Sequence, residues 1–328
     1  MKTLSAPPRR RRAALALLVL LVLAGLAGCG RDPAREVVAY IAQDQVFAEP
    51  LLAEFTRQTG IRVRAVFDSE AVKTVGLANR LLAEQARPQA DVFWGNEELR
   101  TRQLAARGVW REPHGWAAFG HRSRRVVVNT NHIALPGTAP GAASGRLPAP
   151  ASLFELTNAT WRGRVALAYP LFGTTATHFL ALRQYWGAER WEAWCRGLAA
   201  NQPLVVDGNS FVAKLVAKGE AWVGLTDSDD IQAVQREGAP VAALPWNDET
   251  LLIPNTVAVV RGAPHPEAAE ELFAWLQRPE VAARLVAAGA LEGVETAPAG
   301  VKTLTPDWSR LVSELEAVTD RLKTIFLR

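Results

Sequence analysis

Residues 36–67 read EVVAYIAQDQVFAEPLLAEFTRQTGIRVRAVF. The run EVVAYI (36–41) is apolar and β-branched, as a buried strand is. Val46, Phe47, Leu51, Leu52 and Phe55 then recur at helical spacing, which predicts a helix over 45–58. Gly60 suits the left-handed turn that closes a helix. IRVRAVF (61–67) alternates with period two, so a second strand follows. Strand, helix and strand in this order make a βαβ unit.

The same rhythm continues along the chain. A helix is predicted over 73–85, a strand at DVFW (91–94) and a helix over 98–106. RRVVVN (124–129) is a further strand, followed by a Gly/Pro/Ala-rich loop over 135–150. A second α/β unit then begins. Its strands are predicted at 165–168, 204–206 and 222–225, and its helices at 174–186, 211–218 and 231–237. A strand at 256–260 and helices at 267–276, 280–287 and 306–327 complete the chain. The last helix carries Trp308, Leu311, Leu315, Val318, Leu322 and Ile325 on one face. Two α/β units joined by crossings near 127–130 and 254–258 predict a two-lobed clamshell, each lobe a mostly parallel sheet flanked by helices. Lobe 1 is expected over 36–127 with 257–328, the lobe to which the C-terminal helix 306–327 belongs being left open, and lobe 2 over 128–256. Ligands in such folds sit at the carboxyl ends of strands, in the cleft.

The chain has 328 residues, 49% of them hydrophobic, and two cysteines. That composition excludes a disordered polymer and a disulfide-stapled scaffold. Arg9–Arg12 precede an uncharged apolar run, 13–27, which ends at Leu26-Ala27-Gly28-Cys29. This pattern reads as a secretory signal over 1–28, too short for a comfortable membrane span. The Leu-Ala-Gly-Cys box resembles that of bacterial lipoproteins. It implies lipidation of Cys29, with 29–35 as a tether; a plain signal peptide or a short signal anchor is the other reading. The formal charge is +4, but without Lys2 and Arg9–Arg12 it becomes 32 basic against 33 acidic residues. The basicity therefore belongs to targeting, and a nucleic-acid partner is not expected. Cys195 is the remaining thiol and reads as a core residue.

No G-x-S-x-G, H-E-x-x-H, Walker or G-x-G-x-x-G motif occurs, and the five histidines are scattered. No catalytic residue or catalytic cofactor is expected. Binding residues concentrate at strand-to-helix junctions. Asp44 follows the first strand, as a helix cap or a ligand contact. Trp94 ends DVFW, and Asn96 and Glu97 follow it, as a cleft wall, or Glu97 is a first-turn acid. Gly173, Thr174, Thr175 and Thr177 open a helix as an anion cradle, or cap it. Asp227, Asp229 and Asp230 repel one another unless a cation or a helix N-terminus compensates them. Glu70, Asn209 and Asn255 lie in further loops or crossings that could face the cleft.

Several segments together carry a resemblance: VVAYIAQDQVFAEPLLAEFTRQTGIRV, PQADVFWGNEELRTRQLAARGVW, RVVVN, WRGRVALAYPLFGTTATH, KGEAWVGLTD and NTVAVVRGAPHPEAAEELFAWL. From about Val37 to about Ala288 the chain resembles solute-binding proteins of ABC transporters of the ferric-ion-binding type. The resemblance implies the type II periplasmic-binding-protein clamshell, capture of a small ligand or ion, and delivery to an ABC permease and its ATPase. It implies an exported, lipid-anchored monomer with its domain in the periplasm or on the cell surface. By position, Asp44, Asn96 or Glu97, and Asp227 with Asp229 and Asp230 fall where the family holds its metal. Gly173–Thr175 fall where it holds a synergistic anion. The family's tandem tyrosines are absent: only Tyr40, Tyr169 and Tyr185 occur. Carboxylates suit divalent ions as well as Fe³⁺. The guest is thus a ferric or divalent ion, with or without an anion, or a small organic anion or phosphonate. An extracytoplasmic enzyme and a ligand sensor for a membrane receptor are the alternatives from other classes.

Overall fold

The computed structural model describes residues 35–67, 73–139, 144–294 and 300–327. The leader, Cys29, most of the tether and Glu70 lie outside the described residues. The first group of strands is β1 (Glu36–Ile41), β2 (Arg62–Phe67) and β3 (Val92–Gly95). They run parallel with β1 in the middle. Helices α1 (Gln45–Thr59) and α2 (Lys73–Ala83) connect them, and α3 (Glu98–Ala106) follows. Apolar residues of β1 and α1 face one core: Val37, Ile41, Leu52 and Phe55 pack with Trp94, Leu272 and Trp275. Each fully buried side chain of this size contributes about 1.5–3 kcal/mol.

The long strand β4 (Trp116–Asn129) leads to a small parallel pair, β5 (Ile133–Ala134) and β6 (Leu147–Pro148). The second parallel group is β7 (Val165–Ala168), β8 (Leu204–Val206) and β9 (Val223–Asp227), with β7 in the middle. Helices α4 (Gly173–Trp186), α5 (Ala188–Ala200), α6 (Asn209–Ala217) and α7 (Ser228–Arg236) surround it. β10 (Val241–Ala243) pairs with the end of β4. β11 (Leu251–Val259) returns antiparallel along the first part of β4, from Leu251 opposite Arg124 to Ala258 opposite Trp116. The sheet order is β2-β1-β3-β11-β4-β9-β7-β8, so β11 and β4 stand between the two parallel groups. Two parallel groups flanked by helices, with β11 and β4 between them, make the mixed α/β architecture that the sequence predicts.

Three helices close the chain: α8 (Pro266–Leu276), α9 (Pro279–Ala288) and α10 (Trp308–Phe326). Leu311, Leu315, Val318, Leu322 and Ile325 of α10 join the core of the second group, beside Phe179, Trp191 and Trp194. The same helix touches α3, so it spans both groups. No helix among the described residues is long and apolar enough to cross a membrane.

Two differences from the sequence reading matter for the site. β4 begins at Trp116, well before Arg124, which places Arg122 and Arg124 on one face of a strand. Helix α7 begins at Ser228 rather than Ile231, which places Asp229 and Asp230 in its first turn. The sequence reading also gives no element for α5. Gly187, at φ +83°, both closes α4 and opens α5, so no loop separates them.

Candidate functional site

A pocket opens where the ends of the two parallel groups meet. Asp44 reaches it from the turn after β1 and Asn96 from the turn after β3. Arg122 comes from β4, Gly173–Thr175 from the start of α4, and Asn209 from the start of α6. Asp227 is the last residue of β9, and Asp229 and Asp230 follow in α7. Strand-to-helix turns supply almost every wall, because both parallel groups point their carboxyl ends here. The free space at the centre is about 60 Å³, room for an ion or a few water-sized groups.

Asp227 is the most heavily bonded of the acids. Its Oδ1 accepts from Arg124 Nη1 at 2.7 Å. Its Oδ2 accepts from Thr174 Oγ1 at 2.7 Å and from Asn209 Nδ2 at 3.3 Å. Arg124 Nη1 also donates to Asn209 Oδ1 at 2.9 Å, and Thr175 Oγ1 donates to the same oxygen at 3.1 Å. Burial pushes the Asp227 carboxyl up, but Arg124 and Arg122 outweigh it and hold the group below the ordinary carboxylate range. This closed network ties β9, β4, α4 and α6 together as the floor of the pocket.

Asp229 is placed differently. Its Oδ2 accepts from Arg122 Nη1 at 2.8 Å. Its Oδ1 is sealed from water and has no hydrogen-bond partner among the described residues. Asp230 Oδ2 accepts from Thr226 Oγ1 at 3.1 Å. One carboxylate oxygen from each of Asp227, Asp229 and Asp230 lies within 4.8 Å of the others. Burial pushes Asp229 up to about 6; Arg122 opposes the shift, and the Asp227 and Asp44 charges add to it. Burial, with the charges of Asp229, Asp227 and Asp44, pushes Asp230 well above its ordinary range. A buried, unpartnered carboxylate oxygen beside like charges is costly unless a cation joins it.

The start of α4 faces the same space. Phe172 is its N-cap residue and makes no side-chain capping bond among the described residues. Gly173 adopts φ +53°, a left-handed conformation that a glycine takes without steric cost. Uncapped backbone N–H groups and the helix dipole favour an anion there. Asp44, at the N-cap position of α1, likewise makes no side-chain capping bond, and the residue lines the pocket.

Nine of the residues singled out in the sequence meet at this pocket: Asp44, Asn96, Gly173, Thr174, Thr175, Asn209, Asp227, Asp229 and Asp230. Others lie elsewhere. Glu97 is buried and caps α3, accepting from Leu99 N at 2.6 Å and Arg100 N at 3.0 Å. Burial raises its carboxyl pKa, against the pull of Arg100 and the helix N–H groups. Thr177 Oγ1 bonds back to the Gly173 carbonyl at 3.1 Å and reaches Glu97 at 3.3 Å. Trp94 packs in the core, its ring centre 6.1 Å from that of Phe119. Asn255 is fully buried on β11 and donates to Gln43 Oε1 at 2.7 Å.

The sequence reading misses Arg122, Arg124, Tyr169 and Asp207. The two arginines had a signal. They sit two apart in a strand whose continuation is apolar, and such a pair needs buried partners. Tyr169 and Asp207 each follow a short strand and line the pocket, but single polar residues in loops carry no such signal.

A family profile described as bacterial extracellular solute-binding protein matches residues 36–290. No curated protein matches the chain in sequence. Among solved structures, the chain is similar to iron-bound HitA from Pseudomonas aeruginosa at 20% identity and TM-score 0.73, covering 88% of this chain and 99% of that one. It is similar to AfuA from Actinobacillus pleuropneumoniae with fructose-6-phosphate bound, at 18% identity and TM-score 0.74, covering 89% and 98%. It is also similar to apo ferric ion-binding protein A from Pasteurella haemolytica, at 19% identity and TM-score 0.72, covering 89% and 99%. At these identities the likeness establishes the fold.

Proposed function

Because the chain belongs to the bacterial extracellular solute-binding protein family, we propose that it is the capture component of an ABC importer for a small cation. The cation sits between Asp229, Asp230 and Asp44 and passes to a permease and its ATPase. The observation that carries this reading is the buried Asp229 Oδ1, unpartnered among the described residues, on a carboxylate that comes within 4.8 Å of those of Asp227 and Asp230. The donor set is all carboxylate, which suits a hard ion, ferric or divalent. Asp227 contributes field rather than a bond, since both its oxygens already accept hydrogen bonds. A synergistic anion joins the ion on the uncapped Gly173–Thr175 turn.

The mechanism is binding with closure. The pocket collects residues from both parallel groups, while β4 and β11 run between them. We assign 36–127 with 257–294 to one lobe and 128–256 to the other, together with helix α10, which packs in the core of the second group. An ion bridging Asp44 and Asp229–Asp230 pulls the two together, and the membrane partner reads the closed form. Catalysis is not part of the proposal. The domain is exported and held at the membrane through lipid on Cys29, as a monomer.

A second reading rests on the same uncapped turn: a small organic anion or phosphonate binds at Gly173–Thr175, with the aspartates holding its cationic end. Native mass spectrometry with elemental analysis, on protein purified without chelator, tests both. A stoichiometric metal supports the first reading. An organic adduct without metal replaces it with the second.

A further inference from the structure

Arg122 stands beside the carboxylates that a guest cation needs. It is 3% exposed, lines the pocket and donates from Nη1 to Asp229 Oδ2 at 2.8 Å. Its Nη2 donates to the Asn96 carbonyl at 2.8 Å. Its Nε lies 3.7 Å from Asp227 Oδ2 and has no hydrogen-bond partner among the described residues. Arg124, two residues on, belongs to the floor: it bonds Asp227, Asn209 and the Leu225 carbonyl. The two arginines therefore do different work. Arg124 neutralises an acid that is already saturated. Arg122 binds one oxygen of Asp229 and leaves the other, the buried Oδ1, without a partner among the described residues.

We infer that Arg122 is a resident cation that sets how much positive charge the guest carries. This rests on the cation reading of the pocket. A guanidinium fixed against Asp229 subtracts one positive charge from what the acids accept, and at close range in a buried site that subtraction is strong. With Arg122 in place the site favours the lower-charged of two otherwise similar ions. With a neutral residue there, the preference moves toward the higher-charged one. Arg122 is a specificity residue in this scheme, acting on the guest through the field and through Asp229.

Ca²⁺ and La³⁺ test this cleanly, since both are hard oxygen-seeking ions of similar size that differ by one charge. Calorimetric titration of wild type, Arg122→Gln and Arg122→Lys gives the ratio of the two dissociation constants. Arg122→Gln is expected to shift the ratio at least tenfold toward La³⁺, about 1.4 kcal/mol, while Arg122→Lys stays near wild type. A purely structural role for Arg122 lowers both affinities alike and leaves the ratio unchanged, and that result overturns the inference. If Arg122→Gln does not fold, the double variant Arg122→Gln/Asp229→Asn is compared with Asp229→Asn. Removing the resident cation is expected to restore Ca²⁺ affinity at least tenfold, and equal affinities overturn the inference. Binding of neither ion by wild type contradicts the cation reading itself, a different failure from an unchanged ratio.

Discussion

Arg124 and Asp227 meet at 2.7 Å with both side chains buried, and this pair is the floor on which the pocket is built. Thr174 and Asn209 close the network around it. The pair separates two kinds of aspartate that look alike in the sequence: one that holds the structure and two that face the guest.

Asp227→Ala therefore acts on stability. It leaves the buried Arg124 without its carboxylate, a loss of about 3–5 kcal/mol. Urea denaturation of the apo protein is expected to show this drop. A midpoint equal to wild type would contradict the structural role.

Asp229→Asn acts in the opposite sense. The ordinary carboxylate pKa is raised to about 6 by burial in the folded protein. Ionised Asp229 thus weakens the apo fold near neutral pH, and an uncharged amide relieves it by about 1–3 kcal/mol. The variant is expected to melt higher without ligand and to lose cation binding. A lower apo melting temperature would show that the carboxylate is stabilising after all.

The pH dependence follows with opposite signs for fold and ligand. A raised folded pKa means that the stability contributed by Asp229 is complete below about pH 4 and is lost as pH rises through about 6. Asp230, also raised, adds to the same trend. Cation affinity runs the other way, because the carboxylates must be ionised to bind. Titrations at pH 5 and pH 7.5 are expected to give tighter binding at the higher pH, with proton release measured by the buffer dependence of the heat.

Gly173 holds φ +53° at the mouth of α4, with open space around its α-carbon. Alanine there meets no clash but adopts a left-handed conformation, at a cost of about 1–2 kcal/mol. Unchanged stability in Gly173→Ala would mean that the turn is not held in this conformation.

Much of this was legible in the sequence, for identifiable reasons. The β1–α1–β2 unit follows from the period of Val46, Phe47, Leu51, Leu52 and Phe55, and α1 is observed over Gln45–Thr59 with Gly60 as its left-handed cap. Asp44, Gly173–Thr175 and the 227–230 acids stood out because they sit directly after strands, where this fold gathers its ligand contacts. Glu97 stood out for the same reason, yet its carboxylate turns back onto the N–H groups of its own helix. Local capping and ligand contact need the same residue in the same place, and only side-chain direction separates them. Arg122 and Arg124 are obscured because the valine run marks the strand only from Arg124 onward, while the strand itself begins at Trp116. Their partners lie about a hundred residues away at Asp227 and Asp229, a pairing that no local pattern encodes.

The central claim, a cation held by Asp229 and Asp230, is tested most directly by an anomalous-difference map from crystals grown with Mn²⁺. The account predicts a peak within bonding distance of Asp229 Oδ1 and Asp230, with Asp44 turned toward it. A fully occupied crystal form with an organic molecule in the pocket, and no anomalous peak among these carboxylates, would contradict it.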